Sequence, residues 1–181
     1  AHYFASTKFE KVTTDNPAFK AAYADAEGKT KKFLAIKGTK TVDEIHRKLG
    51  KVMWDDCGMA RNAEGLKRAI ASIGKIRDEF WSDVRVSGEG AELNQELEKA
   101  GRAADFIELG ELMCQDALSR EESCGGHFRE EHQTPDGEAQ RDDDKFCHAA
   151  VWEFKGKGKT PERNTEALSF EHCKPSQRSY K

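Results

Sequence analysis

Beyond Thr41 the apolar residues of this chain recur at three- and four-residue steps, the period of an α-helix with one buried face. Val42, Ile45, Leu49 and Val52 form the first stripe. Thr41-Val42-Asp43-Glu44 opens it as a capping box, in which hydroxyl and carboxylate satisfy orphan amides reciprocally, and Cys57-Gly58 closes it. The second stripe is Leu66, Ile70, Ile73, Ile76, Phe80 and Val84, entered at Asn62, a favoured N-cap type. Ser87-Gly88-Glu89-Gly90 reads as a turn. A third helix is expected from about Ala91 to Ser119, with Leu93, Leu97, Ala100, Ala104, Ile107, Cys114 and Leu118 close to one face. The small residues Ala100, Gly101, Ala103 and Ala104 allow a close helix crossing. Three long amphipathic helices with short connections cannot bury their stripes alone. The pattern therefore predicts a mainly α fold: an antiparallel three-helix bundle, spectrin-like, over residues 42–120.

The flanks have other periods. Residues 1–41 read as a connecting segment with a short helix over 18–26, started by Asn16-Pro17. Gly28 and Gly38 punctuate this segment, and Phe33, Leu34 and Ile36 form a small apolar patch. Residues 121–181 read as a polar loop, a β-hairpin and a tail. The stretch 130–144 is acidic and turn-rich around Pro135-Asp136-Gly137. From His148 to Phe154 the chain alternates, with Ala150, Trp152 and Phe154 on one face, and Leu168 and Phe170 offer a matching face. That is the small hairpin-containing C-terminal extension.

Charge is uneven. The net charge of −3 supplies no global field for nucleic acid. Residues 1–53 hold eleven Lys/Arg against six Asp/Glu, whereas residues 121–144 hold nine Asp/Glu against two Arg. Such blocks are solvated faces or docking faces. No apolar run has the length of a membrane span, and no charged-then-apolar start marks a secretory signal. The first residue, Ala1, suggests an excised piece or a processed product. The five cysteines (Cys57, Cys114, Cys124, Cys147 and Cys173) are odd in number and contain no C-x-x-C pair. They describe neither a disulfide framework nor an iron–sulfur ligand set, and a reducing compartment fits them.

Several chemistries are suggested and fail. Gly156-Lys157-Gly158-Lys159-Thr160 lacks the first glycine of a phosphate loop, because position 153 is Glu153, and Pro161 follows where a helix should start. Cys124, His127, His132, Cys147 and His148 are zinc donor types, but Cys124–His127 has only a loose finger-like spacing and Cys147–His148 are adjacent, so on a strand they point to opposite faces. Ser123 and His127 lack the strand–turn–helix elbow and the orienting acid of a hydrolase. Trp54, Trp81 and Trp152, with Phe80 and Phe106, read as core or interface anchors, and His46 as a structural histidine.

Glu122-Ser123-Cys124-Gly125-Gly126-His127-Phe128-Arg129 stands apart. Gly125-Gly126 permits a sharp reversal, and Ser, His and Arg gather hydrogen-bonding groups around it. Alone, the segment describes a helix C-terminus with a glycine stop and a nearby cation. With its surroundings it resembles the Glu-Ser-Arg-Gly-x-His-x-Arg … Arg-Asp-Asp signature near the C-terminus of the succinate dehydrogenase and fumarate reductase flavoproteins. Ala117-Leu118-Ser119-Arg120 leads in; Arg141-Asp142-Asp143, Phe146 and His148 follow; Arg178-Ser179-Tyr180 lies near the end. Met53 and Gly58-Met59-Ala60-Arg61-Asn62 are also similar to the family's first helix pair. The resemblance covers about residues 42–181. Cys124 stands where the family usually has Arg, which removes a planar five-donor group, and Gly126 where it usually has Ala.

The resemblance implies a C-terminal helical domain of a flavoprotein oxidoreductase that interconverts succinate and fumarate. FAD would belong to the full-length subunit and not to this chain, which is then expected to be inactive alone. No catalytic, cofactor-binding or metal residue of the family maps here. Glu122, Ser123, Gly125, Gly126, His127, Arg129, Arg141, Asp142, Asp143 and His148 are expected at an interface. Their partners would be the upstream flavin-binding and capping domains and the iron–sulfur subunit, with the complex on the inner face of the cytoplasmic membrane and no direct insertion. An L-aspartate oxidase-like flavoprotein and a stand-alone helical interaction module are the rival readings.

Overall fold

The computed structural model describes residues 1–9, 12–156 and 158–176. Lys157 and the closing Arg178-Ser179-Tyr180 lie outside the described residues. The fold is a mainly α helical bundle followed by a β-hairpin. Contacts divide the chain into two compact units, Ala1–His46 with Arg77–Phe106, and Arg47–Ile76 with Ile107–Lys181. Three helices contribute residues to both: α3 (Val42–Asp56), α4 (Ala63–Asp83) and α5 (Gln95–Ser119).

The first unit also holds α1 (His2–Ser6), α2 (Pro17–Ala35), β1 (Lys40–Thr41) and β2 (Val84–Arg85). The capping box forms as expected. Glu44 N donates to Thr41 Oγ1 at 3.2 Å, and Thr41 N donates back to Glu44 Oε2 at 2.7 Å. Thr41→Ala is expected to remove about 1 kcal/mol of stability, measured as a shift of the urea midpoint at constant slope. β1 pairs in parallel with β2, Lys40 opposite Val84 and Thr41 opposite Arg85. Val84, expected on the second helix, is therefore strand, yet it stays fully buried.

The helix over 18–26 is longer than its glycine suggested. It begins at Pro17, capped by Asn16 Oδ1 accepting from Ala18 N at 2.9 Å, and runs through Gly28 to Ala35. Glycine costs about 1 kcal/mol inside a helix. Here Asp25–Lys29 and Glu27–Lys31 ion pairs flank it, and Phe33 anchors the far end by stacking on Trp81 with ring centroids 5.3 Å apart. The third helix begins at Gln95, not Ala91, because Asn94 accepts from Leu97 N at 3.0 Å while its amide donates to Ser87 O at 2.7 Å. Leu93 is left 96% exposed, outside the stripe to which periodicity assigned it.

In the second unit the three helices meet at Gly110. A Cβ there would stand 3.2 Å from Met53 Sδ, 3.6 Å from Leu49 Cδ1 and 3.8 Å from Ile73 Cδ1. Leu49, Leu66, Ile73, Ile107, Cys114 and Ala117 are buried in this unit. The expected hairpin is present: β3 (His148–Glu153) pairs antiparallel with β4 (Glu162–Ala167), from His148 opposite Ala167 to Glu153 opposite Glu162. Leu168 and Phe170 fall after β4, so Trp152 faces Arg163 in place of an apolar partner. Trp152 Nε1 donates to Asp116 Oδ1 on α5 at 2.7 Å, which fastens the hairpin. A one-turn helix, α6 (Asp143–Phe146), overlaps the end of the stretch read as turns; Asp142 caps it, accepting from Lys145 N at 3.2 Å.

Candidate functional site

An α-helix leaves its last carbonyls without partners, and a buried helix end must find donors for them. At the end of α5 the donor is Arg129. Its Nη1 donates to Ala117 O at 2.8 Å and to Leu118 O and Arg120 O at 3.3 Å each. The side chain is buried, with the residue only 2% exposed. Reaching this position requires the chain to reverse within four residues. Gly125, at φ +59°, makes that turn, closed by Cys124 N to His127 O at 2.8 Å and His127 N to Cys124 O at 3.1 Å.

The other signature side chains close a network around that arginine. Ser123 Oγ donates to Arg129 O at 3.1 Å and accepts from Arg129 N at 2.8 Å. Glu122, also buried, accepts from Arg120 Nε at 2.8 Å and from Asp142 N at 2.9 Å, one carboxylate oxygen each. The α3–α4 loop joins from another side. Arg61 N donates to Phe128 O at 3.0 Å, and Glu130 N donates to Arg61 O at 2.8 Å. Asn62 Nδ2 donates to Glu130 Oε2 at 2.6 Å, and the amide of Ala63, at the start of α4, donates to Glu131. Glu131 in turn takes both Nε and Nη2 of Arg129, at 3.3 and 3.2 Å. The segment is thus a clamp that ties the end of α5 to the beginning of α4.

Two titrations follow from this geometry. His127 accepts from Arg61 Nη1 at Nδ1, 3.3 Å away. A guanidinium can only donate, so the proton sits on Nε2, which donates to Arg120 O at 2.9 Å. Burial, joined by the charges of Arg61, Arg120 and Arg129 and opposed by that carbonyl, holds the imidazole below its ordinary value and so neutral. Partial burial by itself would raise Glu131, but the hydrogen bonds from Arg129 and from the Ala63 amide outweigh it and hold the carboxyl down at about 2. A carboxylate depressed in the folded state stabilises the fold above its unfolded value of 4.5 and loses that contribution as pH falls towards 2. Glu131→Gln is therefore expected to flatten the stability–pH curve between about 4.5 and 2, read by urea unfolding at stepped pH.

Both functions of the Ser123 hydroxyl are used by Arg129, and both His127 nitrogens are engaged elsewhere, so the two form no nucleophile–base pair. Among the described residues no three His, Cys, Asp or Glu side chains are placed to hold a metal ion. Arg141, Asp143 and His148 have other hydrogen-bond partners. Arg141 pairs with Asp143 at 2.5 Å and donates to Ser176 O at 3.0 Å. His148 accepts from Arg163 Nη2 at 3.0 Å on the hairpin. Arg141 and Asp143, with Glu121, His132, Gln140 and Lys145, line a polar cavity of about 370 Å³. Arg61, Arg120 and Glu131 belong to the clamp but were not among the expected site residues. The first two stand in stretches that resemble the family; Glu131 carries no sequence signal beyond its place in an acidic run.

Of the five cysteines, all free, Cys57 and Cys114 are buried. Cys114 is pushed up by its interaction with Cys57 and by burial, and Cys57 is drawn down to about 7 by its interaction with Cys114.

Comparison with known proteins decides the lineage of this arrangement. The family model for the fumarate reductase flavoprotein C-terminus matches residues 46–180. The chain belongs to that family. Its relatives include the fumarate reductase flavoprotein subunit of Proteus vulgaris, 23% identical over 94% of this chain and 28% of the relative. An uncharacterized FAD-dependent oxidoreductase of Methanocaldococcus jannaschii is 32% identical over 59% of this chain and 20% of its own length. An L-aspartate oxidase of Synechocystis is 29% identical over 45% of this chain and 17% of the oxidase. The fold matches quinol fumarate reductase of Escherichia coli with a TM-score of 0.78 at 21% identity, over 96% of this chain and 28% of the other. It also matches the Sdh1 complex of Mycobacterium smegmatis with a TM-score of 0.67 at 21% identity, over 91% and 26%. The chain thus spans less than a third of the length of these relatives.

Proposed function

We propose that this chain is the helical C-terminal part of a flavoprotein subunit that interconverts succinate and fumarate, and that it supports the reaction without supplying a catalytic group. In this reading 42–120 is the bundle and 121–181 the signature-bearing extension. FAD is held by the upstream part of the same polypeptide. The clamp fixes the surface that meets that part and the iron–sulfur subunit, and the complex sits on the inner face of the cytoplasmic membrane through its other subunits. Among the described residues no helix is long and apolar enough to cross a membrane.

The observation that carries the reading is the set of large apolar side chains left in water by the bundle. Trp54 is 83% and Met59 91% exposed, both within eight residues of Arg61 in the clamp, and Leu109 and Met113 are exposed one turn apart on α5. A self-contained module has no reason to leave such side chains uncovered, whereas a partner surface does. The extent of the alignments favours a succinate/fumarate enzyme over L-aspartate oxidase, since the fumarate reductase relative aligns over nearly the whole chain and the oxidase over less than half. The native polypeptide carrying this sequence should oxidise succinate or reduce fumarate and leave L-aspartate untouched. Turnover of L-aspartate with no succinate activity would select the oxidase reading.

A further inference from the structure

Met53 and Cys114 bring two sulfur atoms together near the end of α3, the buried Cys57 follows Met53 by one turn, and the clamp uses none of the three. Met53 and Cys57 stand one turn apart, with Cys57 N donating to Met53 O at 3.1 Å. Cys114, on α5, is fully buried, and its Sγ lies 3.9 Å from Met53 Sδ. Gly110, one turn before Cys114, is what makes room for the thioether, since a Cβ there would press on Met53 Sδ at 3.2 Å.

Two thiols and a thioether are soft donors, which select monovalent copper over magnesium, calcium or manganese. A structural zinc site needs four N, S or O ligands, and no third His, Cys, Asp or Glu joins the pair among the described residues. A three-coordinate ion with metal–sulfur bonds of about 2.3 Å holds its sulfurs about 4 Å apart, the spacing found between Met53 and Cys114. We propose that Met53, Cys57 and Cys114 form a buried trigonal site for a soft monovalent cation, Cu(I). Binding releases the two thiol protons to solvent and leaves one net negative charge on the centre. Arg61, whose charge reaches both thiols, compensates it, while Asp56 is the opposing charge near Cys114. The site goes beyond the flavoprotein reading and does not depend on it.

The test uses the chain with Cys124, Cys147 and Cys173 changed to serine, so that only the buried pair can bind. Cu(I) is titrated without oxygen against a chromophoric Cu(I) chelator, and circular dichroism confirms the fold of each variant. One equivalent bound, with X-ray absorption showing three sulfur ligands at about 2.3 Å, is the expected result. Cys57→Ser and Cys114→Ser should each abolish that equivalent. Met53→Leu, which conserves volume and fold, should weaken it at least about tenfold. No Cu(I) retained against the chelator, or a Met53→Leu variant that binds as tightly as its parent, would overturn the site.

Discussion

Arg129→Met is expected to destabilise the chain by about 3–5 kcal/mol, the cost of breaking a buried charge network by removing one partner. The methionine fills much of the same space but donates nothing. Ala117 O loses its 2.8 Å partner, two further carbonyls at the end of α5 lose weaker ones, and Glu131 loses both guanidinium bonds. Each buried acceptor left unpaired costs about 1–3 kcal/mol. Glu131 is partly exposed and recovers some solvation, which keeps the total within that range. Arg129→Lys should rescue only in part, because an ammonium cannot serve the carbonyls through one nitrogen and the carboxylate through two others. Urea unfolding followed by far-ultraviolet circular dichroism measures all three proteins. A loss under about 1 kcal/mol for Arg129→Met would show that the clamp does not hold the bundle end.

Gly38→Ala should be comparably severe for a steric reason. A Cβ at position 38 would lie 1.9 Å from Asp83 O and 2.0 Å from its carbonyl carbon, both backbone atoms fixed by neighbouring bonds. Gly38 N donates to Val84 O at 3.2 Å, and Asp83 Oδ1 accepts from Thr39 N at 2.8 Å. The alanine must therefore pull the β1–β2 pairing apart, an overpacking cost of about 3 kcal/mol or more. Gly28 is the control. It sits inside α2 with nothing within 4 Å of its added Cβ. Gly28→Ala should stabilise by about 0.5–1 kcal/mol through helix propensity alone. Equal unfolding midpoints for the two variants would refute the close approach at Gly38.

The contrast between these glycines shows what could be read from the sequence. Both looked like punctuation; only Gly38 is, because the close approach comes from a segment 45 positions away that periodicity does not report. The stripes of α3 and α4 and the Thr41 capping box were legible because they depend on neighbours three or four residues apart. The start of α5 was not, since Asn94 caps it while reaching back to Ser87 O. At the site, motif order located Glu122, Ser123, His127 and Arg129. It could not separate them from Arg141, Asp143 and His148, which share the signature but bond to other partners. Glu131 was hidden because its role comes from Ala63 and Arg129, groups brought to it by the fold.

In the proposed function this bundle is the C-terminal part of a flavin-carrying polypeptide. An antibody raised against residues 42–176, used on proteins of the source cell, tests it most directly when the reacting band is examined for flavin. The account predicts a flavin-bearing polypeptide several times the length of this chain. A flavin-free band of the chain's own size would contradict it and leave a self-contained helical module.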